Sequence, residues 1–124
     1  MIGINIQEPY ATLIASGTKT IETRRYKPPA KLIGQRIAII ATNAGETQII
    51  GHARVDSFYQ YKSKDEWAAD ARQHCVTPGS KFDWTDDSPR FAWKISKPVL
   101  LREPVAAPKR RGRIYAKDCT VPKE

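Results

Sequence analysis

Lys19, Glu22 and Arg24 fall within the short run GTKTIETR, residues 17–24, and so bring an amine, a carboxylate and a guanidinium to one turn. A set of this kind can hold a phosphate, or the edge of a nucleobase, because lysine supplies a point charge and arginine a planar fork. It can also do acid–base work on a reacting carbonyl or phosphate, with Lys19 and Glu22 as the catalytic pair. The plainer alternative is an exposed Glu22–Arg24 ion pair, which contributes about 0–1 kcal/mol. If Lys19 and Arg24 lie about 5 Å apart, they repel by about 3 kcal/mol at an effective dielectric near 20, so Glu22 or a bound anion must offset them.

The flanking residues predict how these groups are positioned. Tyr10, Leu13, Ile14 and Gly17 have the spacing of a short amphipathic helix over residues 9–16, with Gly17 as its left-handed terminator. Residues 21–26 are β-branched and aromatic enough to be extended. Alternation then puts Glu22, Arg24 and Tyr26 on one face and Ile21, Thr23 and Arg25 on the other.

Further along, KPPAK at residues 27–31 reads as an extended loop, and residues 36–41 (RIAIIA) as a strand buried on both faces. Residues 48–59 read as a long strand, with Ile49, Gly51, Ala53 and Val55 on one side and His52, Arg54 and Asp56 on the other. Ser63 and Glu66 form a capping box for a second helix carrying Trp67, Ala68, Ala71 and Cys75. The stretch from Thr77 to Pro89 is an acidic, turn-rich loop with Trp84, Asp86 and Asp87, either a lid or a connector. Phe91, Trp93 and Ile95 alternate as a strand, residues 99–101 resume it after Pro98, and residues 114–116 make a last short one. Short strands with turns between them and two main helices predict an α+β fold, a small curled sheet or barrel, rather than a doubly wound one.

The chain of 124 residues is expected to be a single domain, 1–124, long enough to bury a core without metal or disulfide help. Its longest apolar run, residues 37–41, is far below the ~18 residues of a membrane span. Residues 1–5 show no secretory pattern, so a cytoplasmic location is expected. Cys75 and Cys119, with only His52 and His74 to join them, lack zinc-ligand spacing, and no metal or cofactor is expected. A Cys75 nucleophile beside His74 is disfavoured, since neighbours on a helix point apart, and a buried thiol is the expected role.

The net charge of +8 is unevenly spread. Residues 97–124 carry eight Lys/Arg against three Asp/Glu, residues 1–61 seven against four, and residues 62–90 five against six. That distribution suggests one positive surface suited to a polyanion, or plain solubility. The basic run at residues 109–113 is expected to be a solvated face, with RNA contact second.

The sequence resembles the ASCH domain, a relative of PUA-type RNA-binding barrels. The likeness rests on INIQEPYA at residues 4–11, the Gly-x-Lys-x-x-Glu-x-Arg run from Gly17 to Arg24, the strands at residues 34–42 and 51–56, Phe91-Ala92-Trp93, and the tail from Pro104 to Tyr115. It covers almost the whole chain. It implies a PUA-like curled β-barrel of about six strands, a cleft beside the helix-to-strand turn, and an association with RNA. Lys19, Glu22 and Arg24 become the cleft residues, with Tyr10 and Trp93 as ring surfaces and Arg25 as a further cation.

Some relatives hydrolyse the acetyl amide of acetylated cytidine, using the motif lysine, a downstream carboxylate and a threonine where this chain has Glu22. Others cleave single-stranded RNA. Without that hydroxyl, a covalent acyl intermediate needs another nucleophile, and Thr23 is expected to face away while Thr20 sits at the turn. Residues 40–42 (IAT) also lack the histidine that relatives often carry there.

Three readings follow. The first is an RNA-associated protein whose cleft binds RNA, a nucleotide or a nucleoside, since charge plus Tyr10, Trp93, Arg24 and Arg25 suits single strands. The second is a hydrolase, either a single-stranded ribonuclease or an acetylcytidine amidohydrolase. The third is a protein-interaction module, favoured if Trp84 and its loop are exposed and the cleft is closed. Trp93 has a competing role as core, because Phe91 and Ile95 share its face. Nothing in the sequence points to DNA or to an oligomeric state.

Overall fold

The computed structural model describes residues 1–108, 115–116, 119 and 121–122. Its elements run β1 (Ile2–Gln7), α1 (Tyr10–Ala15), β2 (Ile21–Arg24), β3 (Arg36–Asn43), β4 (Glu46–Gln60), α2 (Lys64–Ala69), α3 (Ala71–His74), β5 (Phe91–Ala106) and β6 (Tyr115–Ala116). The fold is α+β. Its mixed sheet has the order β2-β5-β4-β3-β1-β6, all pairs antiparallel except β1 with β3. No helix among the described residues is long and apolar enough to cross a membrane.

The expected closed barrel is not formed. At one edge β2 has only four residues, and at the other the two-residue β6 covers β1 only at Gly3 and Ile4. Ladder hydrogen bonds therefore cannot run from β2 to the C-terminal half of β1, and the sheet curls without closing. The seam left open there is where the candidate site lies.

β3 sits between β1 and β4, and residues 37–41 are buried on both faces, as its continuous apolar run predicts. On one face α1 packs Ala11, Ile14 and Ala15 onto Ile37, Ile39, Ala53, Val55, Trp93 and Ile95. This buried stripe differs from the predicted one, because Tyr10 and Leu13 turn outward and are only partly buried. Gly51 lets α1 approach: a Cβ there would collide with the Val99 carbonyl and meet the Ala15 Cβ at 3.0 Å.

The other sheet face is covered at its two ends. Cys119 closes over Ala38, Ile40, Ile49 and Leu101, while Trp67 and Val76 close over Ile21, Tyr61 and Ala92. The capping box holds, with Glu66 N–H donating to Ser63 Oγ at 3.1 Å and the Glu66 carboxylate accepting from Lys62 N–H at 2.7 Å. The single predicted second helix is broken at Asp70 into α2 and α3, and its expected C-terminal member, Cys75, is instead a half-buried left-handed cap at φ 61°. The segment read as an extended loop after Lys27 contains a 3₁₀ turn at Ala30–Leu32. The basic run at residues 109–113, and residue 114 of the last predicted strand, lie outside the described residues.

Candidate functional site

Gly17, at φ 89°, turns the chain off α1, and its N–H returns to the Ile14 carbonyl at 3.0 Å. Lys19 N–H then bonds the Leu13 carbonyl at 2.9 Å, and Thr20 bonds both Gln73 of α3 and Ile95 of β5, each at 2.9 Å. Three elements thus fix the backbone that presents Lys19. Its side chain is drawn inward until the residue is 2 % exposed.

The Lys19 Nζ donates to the His74 carbonyl, stands 3.7 Å from Glu22 Oε1, and lies 5.1 Å from the centre of the Tyr10 ring. Burial lowers the lysine pKa from its ordinary value, and the Glu22 carboxylate opposes that shift. The His74 carbonyl is held in turn by its ring, which stacks on Trp67 at 4.4 Å, faces the Trp67 carbonyl through Nε2 at 2.9 Å, and accepts Val76 N–H at Nδ1 at 2.9 Å. Because Nδ1 accepts, Nε2 carries the proton and the ring is neutral. Burial pushes the His74 pKa down.

Glu22 sits between the two cations. Its Oε2 accepts from Arg24 Nε and lies beside Nη2, each at 2.8 Å. Arg24 Nη2 also donates to the Asn5 carbonyl at 2.8 Å, and Nη1 reaches the Tyr26 hydroxyl at 3.4 Å. Burial lowers the pKa of this guanidinium, but Glu22 and Tyr26 outweigh it and hold the value raised. The pair is far from the exposed ion pair of the plainer sequence reading, since its side chains are 14 % and 11 % exposed. Glu22 is the group that offsets the Lys19–Arg24 repulsion.

These groups border a hollow of about 490 Å³ at the open seam. Asn5, Gln7 and Thr42 line it from β1 and β3, and Tyr10, Tyr26 and Phe82 bring rings to it. Among the described residues its charged lining is five Lys/Arg (Lys19, Arg24, Arg25, Lys81, Arg90) and one carboxylate, Glu22. Its size is that of pockets that take a small organic ligand, and the excess of cations favours an anionic one.

The loop between α3 and β5 forms one wall. Gly79 N–H bonds Asp83 Oδ2 at 2.8 Å, and Asp86 ties the loop to Arg25 of the β2 end at 3.2 Å and to Arg90 at 3.7 Å. Phe82 meets Tyr10 edge-on at 5.3 Å. Trp84 is half-buried, its Nε1 donating to the Ser88 carbonyl at 3.0 Å.

Of the residues singled out from the sequence, Tyr10, Lys19, Glu22, Arg24 and Arg25 all line the hollow. Trp93 does not, and its assignment as a ligand-facing ring is corrected: it is 0 % exposed. It donates from Nε1 to the Tyr26 carbonyl at 3.0 Å, stands edge-on to the Tyr26 ring at 6.0 Å, and so supports the exposed ring. Thr23, expected to face away, is among the lining residues. Sequence reasoning missed Asn5, Gln7 and Thr42, which lie in segments of the ASCH resemblance but carry no charge or ring to mark them, and Lys81, Phe82 and Arg90, whose cation–aromatic composition was masked by the acidic residues around them.

The ASCH domain family model matches residues 4–121. The chain belongs to the ASCH domain family. This family is linked to RNA-associated roles. The crystal structure of ASCH from Zymomonas mobilis is similar, at 25 % identity and a TM-score of 0.71, covering 85 % of this chain and 72 % of that one. A serine-to-alanine variant of ZmASCH, also from Zymomonas mobilis, covers 93 % and 85 % at a TM-score of 0.75, and at 22 % identity it shows the fold alone. No curated protein matches the sequence.

Proposed function

We propose that this ASCH domain binds single-stranded RNA, or a nucleotide from it, in the seam hollow. The observation that carries the reading is the lining itself: five cations against one carboxylate, interleaved with the rings of Tyr10, Tyr26 and Phe82. Phosphates are met by Arg25, Lys81 and Arg90, a base stacks on the exposed rings, and Asn5, Gln7 and Thr42 offer hydrogen bonds to its edge. Titration of short RNAs at several salt concentrations tests it: affinity falls with salt along a log–log slope set by the phosphates neutralised. Absent or salt-independent binding overturns it. The interaction-module reading loses its condition, since the hollow is open and Trp84 packs near Tyr61, Lys64 and Arg90.

A hydrolytic reading is supported by one observation, the buried Lys19 beside Glu22, whose lowered pKa makes its neutral, proton-accepting form more accessible. An acetylcytidine amidohydrolase of the kind described above needs a hydroxyl where Glu22 stands and a further carboxylate. Glu22 is the sole carboxylate lining the hollow among the described residues, so cleavage of RNA fits the groups better. Incubating the protein with single-stranded RNA and with acetylated cytidine, with Lys19→Ala as control, separates these activities from binding alone.

A further inference from the structure

The sheet face opposite α1 is covered at both ends, by Cys119 at one and by Trp67 and Val76 at the other. Between them runs a strip with no apolar cover among the described residues, and it carries three cations. Arg36 of β3 and Arg54 of β4 are direct cross-strand partners, so their side chains leave the same face side by side. Arg54 is in turn opposite Ser96 of β5, and Lys94, two residues along that strand, shares the face by alternation. Three adjacent strands, about 4.8 Å apart, thus each contribute a cation to one face, with Lys94 diagonal to Arg54.

Like charges directly opposite each other are destabilising, yet this pair is held in place by neutral groups and a single carboxylate. Arg36 Nε donates to His52 Nδ1 at 2.9 Å and Nη2 to the Lys97 carbonyl at 2.6 Å. Arg54 Nε donates to the Gly34 carbonyl at 3.3 Å, and the one carboxylate of the strip, Asp56, reaches Arg54 Nη1 at 3.3 Å. Both guanidiniums are half-buried and pre-oriented, Lys94 is exposed, and Asp56 is the carboxylate set against these three cations among the described residues. That combination suits an anion with several oxygens presented in a row.

We infer that the Arg36–Arg54–Lys94 strip is a second anion site, on the opposite face from α1, that takes consecutive phosphates of a nucleic-acid backbone. It reads charge and spacing, the His52 ring on it being engaged with Arg36, and its use does not depend on what the hollow binds. A strand held in the hollow and at this strip is gripped on two sides of the sheet.

The test uses a short abasic deoxyribose-phosphate oligomer, followed by amide and arginine Nε resonances. The expected result is shifts at Arg36, Arg54 and Ser96, and a salt slope reduced by about one in Arg54→Gln and likewise in Lys94→Gln. Shifts confined to the hollow, or unchanged affinity in both strip variants, overturn the inference. Lys94→Gln alters an exposed side chain, so its result stands even if Arg54→Gln loses stability. Inorganic phosphate forms a second arm: equal affinity for it and for the oligomer defines a single-anion site and overturns the backbone assignment. Loss of RNA binding in hollow variants, with the oligomer still bound, leaves this strip intact and separates its fate from that of the hollow.

Discussion

Arg24 Nη2 donates to the Asn5 carbonyl at 2.8 Å, across the seam where β2 and β1 fail to pair. One side chain thereby does what a barrel's last ladder of backbone bonds would do, and it does so while its Nε holds Glu22. Arg24→Met removes both contacts and leaves a mostly buried carboxylate beside Lys19 alone. The expected loss is about 3 kcal/mol, the scale for breaking a buried pair by deleting one partner. Denaturant unfolding of Arg24→Met and Arg24→Lys checks it, with lysine recovering only part because it lacks the fork that spans Glu22 and Asn5.

Glu22 and Lys19 are unequal partners in stability. Glu22→Gln strands two buried cations, whereas Lys19→Met removes a cation that burial already disfavours and fills its space with an apolar chain of similar length. Glu22→Gln should therefore lower stability by about 2–4 kcal/mol and Lys19→Met by less than half of that. Thermal melts of the two variants side by side decide it, and equal losses would mean that burial disfavours the Lys19 charge far less than the geometry indicates.

The strands and the motif were readable because each rests on a local pattern. The apolar run at residues 37–41, the Trp93–Ile95 alternation and the Ser63–Glu66 cap all have the structure their spacing predicts. The failure of barrel closure was not readable, because it depends on how short β2 and β6 are and on how little of β1 they cover, which no periodicity encodes. The site divides in the same way. Lys19, Glu22 and Arg24 share a motif, but Asn5, Gln7 and Thr42 reach the hollow only because parallel pairing puts β1 beside β3. Trp93 was misplaced because alternation fixes a face and says nothing of what lies over it; here Tyr26 does.

His74 makes the site sensitive to acid. Its Nδ1 must stay unprotonated to accept Val76 N–H, and burial and Lys19 both act against its charge, while Asp70 and the Trp67 carbonyl favour it. The net shift is downward from an ordinary value of 6.5, so below that pH the unfolded chain takes up a proton that the folded chain resists. Stability is full above this pH and is lost as pH falls below it. Melting temperatures at pH 7.5 and pH 5 should differ more for the wild type than for His74→Gln, which has no proton to gain. A parallel fall in both proteins would assign the acid loss to carboxylates elsewhere.

Tyr26 and Phe82, 39 % and 37 % exposed, are the more exposed of the three rings that line the hollow, Tyr10 being partly buried. A base stacked on an aromatic side chain contributes about 1–3 kcal/mol, so Tyr26→Ala and Phe82→Ala should each weaken RNA binding by about 5- to 150-fold. Their cost in folding stability should stay small, because neither ring is deeply buried. Tyr26 also carries the hydroxyl that Arg24 reaches at 3.4 Å, so alanine alone confounds two contacts. Tyr26→Phe keeps the ring and removes the hydroxyl. Fluorescence anisotropy with a labelled RNA should find this variant within about twofold of wild type if stacking carries the contact, because the 3.4 Å bond is near the limit of hydrogen-bond range. A Tyr26→Phe defect as large as that of Tyr26→Ala would place the contribution in the Arg24–hydroxyl contact, and with it the orientation of the guanidinium that spans the seam.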